Sequence, residues 1–342
     1  MPLVKATSFD IAYRAGVSQS TVSRALRNSP LVNEETRKKV QEIAKELNYQ
    51  VDKNASNLRS QQSNTIALLL FEDPNIDESQ INPFFLSMIG SITRACSLKG
   101  YDLLVSFQDM NNNWHSQYED SNKADGLILL GYGDYVDYKD KLISLHEQGT
   151  HFVRWGAEVK DINITTIGCD NFQGAKQLTQ HMLEQGCKSF AFIGTASRRA
   201  PEFNERYKGL VQALEEANTN IDEDLIINAI SSDEAGYQAT IKLLQNNKKF
   251  DALFAASDLI AIGAMRALKE NGLRIPEDVA VVGFDDIPLS QFTNPSLTTA
   301  KQDTVLAGQL LVKKLFDLIN GEKPETILIP TTLLQRDSST IK

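Results

Sequence analysis

The stretch Thr7-Ser8-Phe9-Asp10-Ile11-Ala12-Tyr13-Arg14-Ala15-Gly16-Val17-Ser18-Gln19-Ser20-Thr21-Val22-Ser23-Arg24-Ala25-Leu26-Arg27-Asn28 decides how the chain is read. Thr7 and Asp10 predict a capping box, the hydroxyl accepting from the Asp10 amide while the carboxylate reaches back to Thr7. Ile11, Ala12 and Ala15 give the short helix that follows one apolar face. Gly16 stands where a tight turn needs positive φ. Val17 packs under the turn, and Ser18 is a good N-cap for a second helix over 19–27. Thr21, Val22 and Ala25 face inward by their spacing, which leaves Gln19, Ser20, Ser23, Arg24 and Asn28 outside. A third helix begins after the cap residue Asn33. Glu34 and Glu35 suit its positive end, and Val40, Ile43, Ala44 and Leu47 form its apolar stripe. Three such helices make a helix-turn-helix headpiece of about 50 residues.

The outward residues carry the chemistry. Arg pairs bidentately with guanine and Gln with adenine, while Ser and Thr bond base edges or phosphate. The expected DNA-contacting set in this segment is Gln19, Ser20, Ser23, Arg24 and Asn28, together with the hydroxyl residues Thr7, Ser18 and Thr21 near the helix starts. Charge distribution agrees. Residues 1–62 hold ten Lys/Arg against six Asp/Glu, and the remainder 25 against 38, so a basic head joins an acidic body within a net charge of -9.

Ala-Gly-Val-Ser-x-x-Thr-Val-Ser-Arg, as it runs from Ala15 to Arg24, resembles the headpiece of the LacI/GalR family of bacterial transcription regulators. The resemblance implies a homodimer, usually a repressor, that reads the half-sites of pseudo-palindromic double-stranded operator DNA. It extends into the linker as Asn48-Tyr49…Ala55-x-x-Leu58-Arg59. There it implies a hinge helix at 51–63 that folds on DNA, with Leu58 as an apolar minor-groove wedge and Ala55 and Arg59 beside it. Val51 and Asn54 depart from the family's proline and aliphatic residue. Asn54 weakens the apolar face by which hinge helices pair.

Residues 64–342 alternate apolar strands with amphipathic helices. Expected strands are 65–71, 101–107, 125–131, 150–155, 189–194, 251–257 and 279–284, with helical stretches between them such as 84–99, 171–185, 203–217 and 259–271. Buried apolar strands between helices imply parallel sheets covered on both faces. So much chain implies two doubly wound α/β subdomains. The body resembles the family's periplasmic-binding-protein-like effector domain. The matches are Ala255-Ala256-Ser257-Asp258…Ala261-x-Gly263-Ala264, Val282-Gly283-Phe284-Asp285-Asp286, Leu297-Thr298-Thr299…Gln302-Asp303 and Leu334-x-Arg336-x-Ser338. Three crossings between subdomains are expected near 164, 293 and 326. They give one subdomain of 64–163 with 294–326 and another of 164–293 with 327–342.

Candidate ligand groups point to a hydroxyl-rich small molecule. Phe84 and Phe85 offer faces to a sugar or a base. The Arg206 fork can bond hydroxyls or a carboxylate, and Asp285 can accept two hydroxyl hydrogen bonds. The resemblance carries effector binding onto Phe84, Phe85, Asp170, Arg206, Ser257, Asp285 and Gln302, and less directly onto Tyr132 and Trp155. Relatives often place an aromatic where this chain has Ile230-Ser231-Ser232. A purine or nucleoside effector is the alternative to a sugar, and a sugar-transport binding protein is a more distant one. No P-loop, Gly-x-Ser-x-Gly or Gly-x-Gly-x-x-Gly motif is present, and the four histidines are scattered, so an enzyme, a cofactor and a metal are not expected. The longest apolar run, Ile66 to Phe71, cannot span a bilayer, and three widely spaced cysteines fit a reduced cytoplasm. The polar loop 109–114 reads as a solvated turn.

Overall fold

The computed structural model describes residues 6–49, 62–71, 81–107, 112–131, 135–158, 162–246, 248–323 and 325–340. The hinge residues Ala55, Leu58 and Arg59, and Tyr132, lie outside them. The chain divides between Ser63 and Asn64 into two compact units.

Among the described residues the first unit has three helices, α1 (Ser8–Ala15), α2 (Gln19–Leu26) and α3 (Glu34–Glu46). The capping box forms: the Thr7 amide donates to Asp10 Oδ2 at 2.7 Å, and the Asp10 amide to Thr7 Oγ1 at 3.4 Å. Thr21 N donates to Ser18 Oγ and Thr36 N to Asn33 Oδ1, so all three helix starts are satisfied by side chains the sequence marks. Helix α2 stops at Leu26, one residue earlier than expected, with Arg27 as its C-cap. Ile11, Val22, Ala25 and Val40 are wholly buried at the centre. Gly16 has φ +69°, and a Cβ there would meet nothing within 4 Å. Gly16→Ala should therefore cost only the left-handed backbone penalty, about 1–2 kcal/mol. The headpiece melt followed by circular dichroism should move down by a corresponding few degrees; an unchanged melt would contradict the turn assignment.

The second unit holds two six-stranded sheets. The first contains β1 (Thr65–Phe71), β2 (Asp102–Phe107), β3 (Leu127–Gly131), β4 (Phe152–Trp155), β5 (Thr165–Cys169) and β11 (Thr326–Ile329), in the order β11-β5-β4-β3-β1-β2, all parallel. The second contains β6 (Phe190–Ile193), β7 (Ile226–Ile227), β8 (Ala252–Ala255), β9 (Ala280–Asp285), β10 (Thr298–Lys301) and β12 (Thr332–Leu334), in the order β12-β10-β9-β8-β6-β7. Among the described residues only β12, against β10, runs antiparallel.

The chain crosses between sheets after Cys169, after Lys301 and after Ile329, not near 164, 293 and 326. The difference lies in threonine. Thr165-Thr166 and Thr298-Thr299 do not read as apolar strand, yet all four are buried and β-branched, and each pair extends its sheet by one more strand before the chain leaves.

Helices α4 (Pro83–Leu98) and α10 (Thr304–Ile319) pair on the first sheet; α5 (Tyr135–Glu147) belongs to the same half. On the second sheet α6 (Asn171–Glu184) pairs with α7 (Pro201–Glu216), and α8 (Asp233–Gln245) with α9 (Asp258–Glu270). The α8–α9 contact is backbone on backbone: a Cβ on Gly263 would lie 1.8 Å from the Asp233 carbonyl oxygen. Trp114 corrects the expectation of a solvated turn. It is fully buried with Tyr118, Leu127 and Leu142 in a second core cluster. Among the described residues no helix is long and apolar enough to cross a membrane.

Candidate nucleic-acid interface and ligand cleft

The headpiece sorts the expected DNA-contacting residues by what already holds them. Thr7 is engaged in its capping box. Ser18 Oγ gathers Ser20 Oγ at 2.8 Å and Thr21 Oγ1 at 2.9 Å, a hydroxyl cluster at the start of α2. Arg27 folds back on Ser23, donating to its backbone oxygen at 3.2 Å and to its hydroxyl. Asn28, in the left-handed region at φ +56°, accepts from Gln41 Nε2 at 2.8 Å. Gln19 donates to Ser8 Oγ. Arg24 is exposed, and among the described residues it makes no hydrogen bond or ion pair within the chain. Its guanidinium fork is thus the most available donor on the outer face of α2. Sequence reasoning missed Ser8, Arg27 and Gln41 as supporting groups because their partners lie in other turns or helices.

The ligand candidates of the body lie just beyond the carboxyl ends of strands or at the helix starts that follow. That is where ligands bind in doubly wound sheets. Trp155 ends β4, Asp170 follows β5, Ser257 follows β8, Asp285 ends β9 and Gln302 follows β10. Arg206 enters on α7 and is only 1% exposed. Its Nε donates to Asn171 Oδ1 at 2.8 Å and its Nη1 to the Ala256 carbonyl, while Nη1 stands 3.3 Å from Asp285 Oδ1. The guanidinium lies over the Phe284 ring, 3.9 Å from its centroid. Gln302 Nε2 donates to Asp285 Oδ1 at 2.6 Å. Arg206, Asp285 and Gln302 therefore form one buried constellation, joined by a residue the sequence did not flag, Asn171.

Asp285 sits at φ +116° and Asp286 at φ +56°, both costly for a residue with a Cβ. Two groups hold this strained turn. Arg336 Nη2 donates to Asp286 Oδ1 at 2.7 Å. Asp258, wholly buried, accepts from Ile287 N at 2.9 Å, Thr299 Oγ1 at 2.6 Å and the Ser290 hydroxyl. Asp258, the first residue of α9, thus braces this turn, while Ser257 caps the helix. Burial pushes the Asp258 carboxyl up to about 7, with the neighbouring Asp285 adding to the rise. Burial also raises Asp285, to about 6, against the pull of Arg206 and Gln302.

Other candidates take structural roles. Asp170 caps α6 by accepting from Gln173 N at 3.0 Å. Ser257 accepts from Ser231 Oγ at 2.9 Å, and Ser231 in turn accepts from Asn82 Nδ2 at 3.3 Å. This chain of bonds, with Ala157 N donating to Glu202 Oε1 at 2.9 Å, ties the first half of the body to the second. Ser231 stands where the expected aromatic is missing and uses the position as a polar latch. Phe84 and Phe85 are 1% and 4% exposed, edge to face at 5.3 Å, with Trp155 5.9 Å from Phe84. They form an aromatic wall continuous with the core, not an open slot.

Comparison with known proteins fits both units. Residues 9–52 match the model for bacterial regulatory proteins of the lacI family, and residues 179–339 that for a periplasmic binding protein-like domain. The HTH-type transcriptional regulator RegA of Clostridium saccharobutylicum is 31% identical over 336 residues, spanning 96% of this chain and 98% of that protein. The probable HTH-type transcriptional repressor ExuR of Bacillus subtilis (strain 168) is 33% identical, with 96% and 97% covered. Among solved structures, the lac repressor dimer bound to operator and the anti-inducer ONPF matches with a TM-score of 0.83 at 26% identity, covering 99% of this chain and all of that one. The transcriptional regulator CelR in complex with cellobiose matches with a TM-score of 0.73 at 29% identity, covering 97% and 99%. With relatives above 30% identity aligned across almost its whole length, the chain belongs to the lacI family of bacterial transcription regulators.

Proposed function

We propose that this regulator is a cytoplasmic homodimeric repressor of carbohydrate-utilisation genes. Its two headpieces read a pseudo-palindromic operator, and its body closes on a small sugar. One observation carries the sugar reading. Gln302 is 2% exposed, its Nε2 is committed to Asp285, and its Oε1 has no hydrogen-bond partner among the described residues. A buried carbonyl oxygen left unpaired costs about 1–3 kcal/mol. A ligand hydroxyl beside Asp285 and Arg206 would satisfy it. The aromatic wall supports the same reading, because Phe84 and Phe85 are packed into the core rather than set as a pair to sandwich a base.

The effector acts only through its preference for one of two body conformations. The bonds from Asn82 through Ser231 to Ser257, and from Ala157 to Glu202, are the contacts such closure would bias. Ala55, Leu58 and Arg59 are the hinge groups that would feel it at the DNA, with pairing weakened by Asn54.

Thermal-shift screening tests this. At about 100 times its Kd the cognate sugar should stabilise the body by about 2.7 kcal/mol, raising Tm by roughly 5 °C or more. Gln302→Leu should lose most of that shift. The same sugar should change the anisotropy of a bound operator fragment. A shift from purines or nucleosides, with none from mono-, di- or amino sugars, would overturn the sugar reading.

A further inference from the structure

Two histidines and two carboxylates meet at the amino ends of the first sheet, the end away from the ligand cleft. His115 precedes the short π-helical turn Ser116–Asp120, whose last residues are Glu119 and Asp120. Thr150 and His151 stand immediately before β4. His115 Nδ1 lies 2.9 Å from Thr150 Oγ1 and 3.7 Å from Glu119 Oε2, and its Nε2 lies 3.3 Å from Asp120 Oδ1. His151 Nδ1 lies 3.4 Å from Glu119 Oε1, the oxygen that also accepts from the His151 amide at 2.7 Å. Glu119 is thus held between an imidazole beside its own turn and one at the entry to β4.

A neutral imidazole carries one N–H. Both ring nitrogens of His115 face a carboxylate, so the neutral ring sets one lone pair against another, whereas the imidazolium has a donor on each side. Charge runs the same way. With both rings neutral, Glu119 and Asp120 give the cluster two negative charges; with both protonated it carries none. Neither carboxylate pairs with a lysine or arginine among the described residues. Lys123 is turned to the Tyr118 ring, 4.7 Å from its centroid, and Asp125 accepts from Asn64 N at 2.9 Å. The hydrogen bond to Glu119 holds the His151 ring above the ordinary histidine range, against the opposing effect of burial.

The cluster is bonded to the place where the chain enters this unit. The His151 carbonyl accepts from Leu127 N at 2.8 Å, and two residues earlier Asp125 N donates to the Thr65 carbonyl at 2.8 Å. Asn64, held by the Asp125 carboxylate, is the first residue of the unit.

We propose that His115, Glu119, Asp120 and His151 form a proton-operated clamp, which on acidification fastens the turn 116–120 to the start of β4 at the end of the sheet where the chain enters the body. A histidine whose folded pKa is raised adds stability that is complete below the unfolded value, 6.5, and is lost as pH rises through the folded one. The clamp therefore tightens in mild acid and slackens in alkali. His181, buried in the second half, is lowered by burial and acts in the opposite sense. Wild type alone mixes the two, so the clamp is read as a difference between wild type and a variant.

Both tryptophans, Trp114 and Trp155, lie in the first half, and their fluorescence reports on it directly. In urea unfolding of the full chain, wild type should have a higher midpoint than His115→Gln/His151→Gln at about pH 5.5, and the gap should close by about pH 8.5. Glu119→Gln keeps an acceptor for the His151 amide. In that variant the titration midpoint of the His151 ring, followed by its Cε1 proton resonance, should fall below that of wild type. A gap that is equal at both pH values, or wider in alkali, overturns the clamp. So does a His151 midpoint that Glu119→Gln leaves unmoved. If the double variant does not fold, the Glu119→Gln titration decides alone.

Discussion

Arg206→Ala should destabilise the body by about 3–5 kcal/mol, the range for removing one partner of a buried ion pair. The guanidinium is the counter-charge of Asp285, which is 2% exposed. It also satisfies Asn171 Oδ1 and the Ala256 carbonyl and fills the space over Phe284, so its removal leaves three acceptors and a void. The pH dependence identifies the cause. Without Arg206, the Asp285 carboxyl rises further above its wild-type value of about 6. A carboxyl whose folded pKa lies above its unfolded value contributes stability below the unfolded value, near 3.8, and loses it as pH rises through the folded one. The gap between variant and wild type should therefore widen from pH 5 to pH 8 in urea unfolding. Effector-induced stabilisation should be absent from the variant at both pH values. A gap that is constant or narrows at high pH would mean that lost packing, and not the uncompensated charge of Asp285, sets the cost.

What is legible in the sequence follows from the range of the forces involved. The headpiece is written in local signals. Thr7 and Asp10, Gly16, Ser18 and Asn33 each act within three or four residues of themselves, and each does what its position predicts. Seven of the body's strands, β1 to β4, β6, β8 and β9, are legible for the same reason. Strands β5 and β10 are not, because their threonines count as polar until both faces of a sheet cover them.

The cleft shows the limit most clearly. Arg206, Asp285 and Gln302 can be nominated singly, yet their joining depends on contacts 17 to 79 residues apart in the chain. Asp258 reads locally as a cap or a ligand group alike. Its role is to hold the Asp285–Asp286 turn through donors from Ile287, Ser290 and Thr299, and no local pattern reports that. Asn82 reads locally only as the cap before Pro83, and nothing local marks Asn171 or the bonds that Glu202 and Ser231 make across the body. Their significance appears only when the two sheets are brought together.

Arg24→Ala should weaken binding to the best operator by about 1–3 kcal/mol, roughly 5- to 150-fold, and should erase the preference for guanine at one base pair. Arg24 differs from its neighbours in being uncommitted. Ser20, Ser23, Gln19 and Asn28 each hold a bond within the headpiece, whereas the Arg24 fork has none among the described residues. All its donors are therefore available to a base, and nothing in the fold is broken by its loss. The headpiece melt should stay where it is, unlike that of Gly16→Ala. Arg24→Lys separates charge from geometry. It keeps the attraction to phosphate but cannot make the paired contact to O6 and N7, so it should recover nonspecific affinity without the guanine preference. The opposite outcome has its own signature in a salt titration. If Arg24 contacts only phosphate, Arg24→Ala weakens every sequence alike, lowers the slope of log K against log salt by about one, and leaves the selected sequence intact. That result would move base reading on this helix to Gln19 alone.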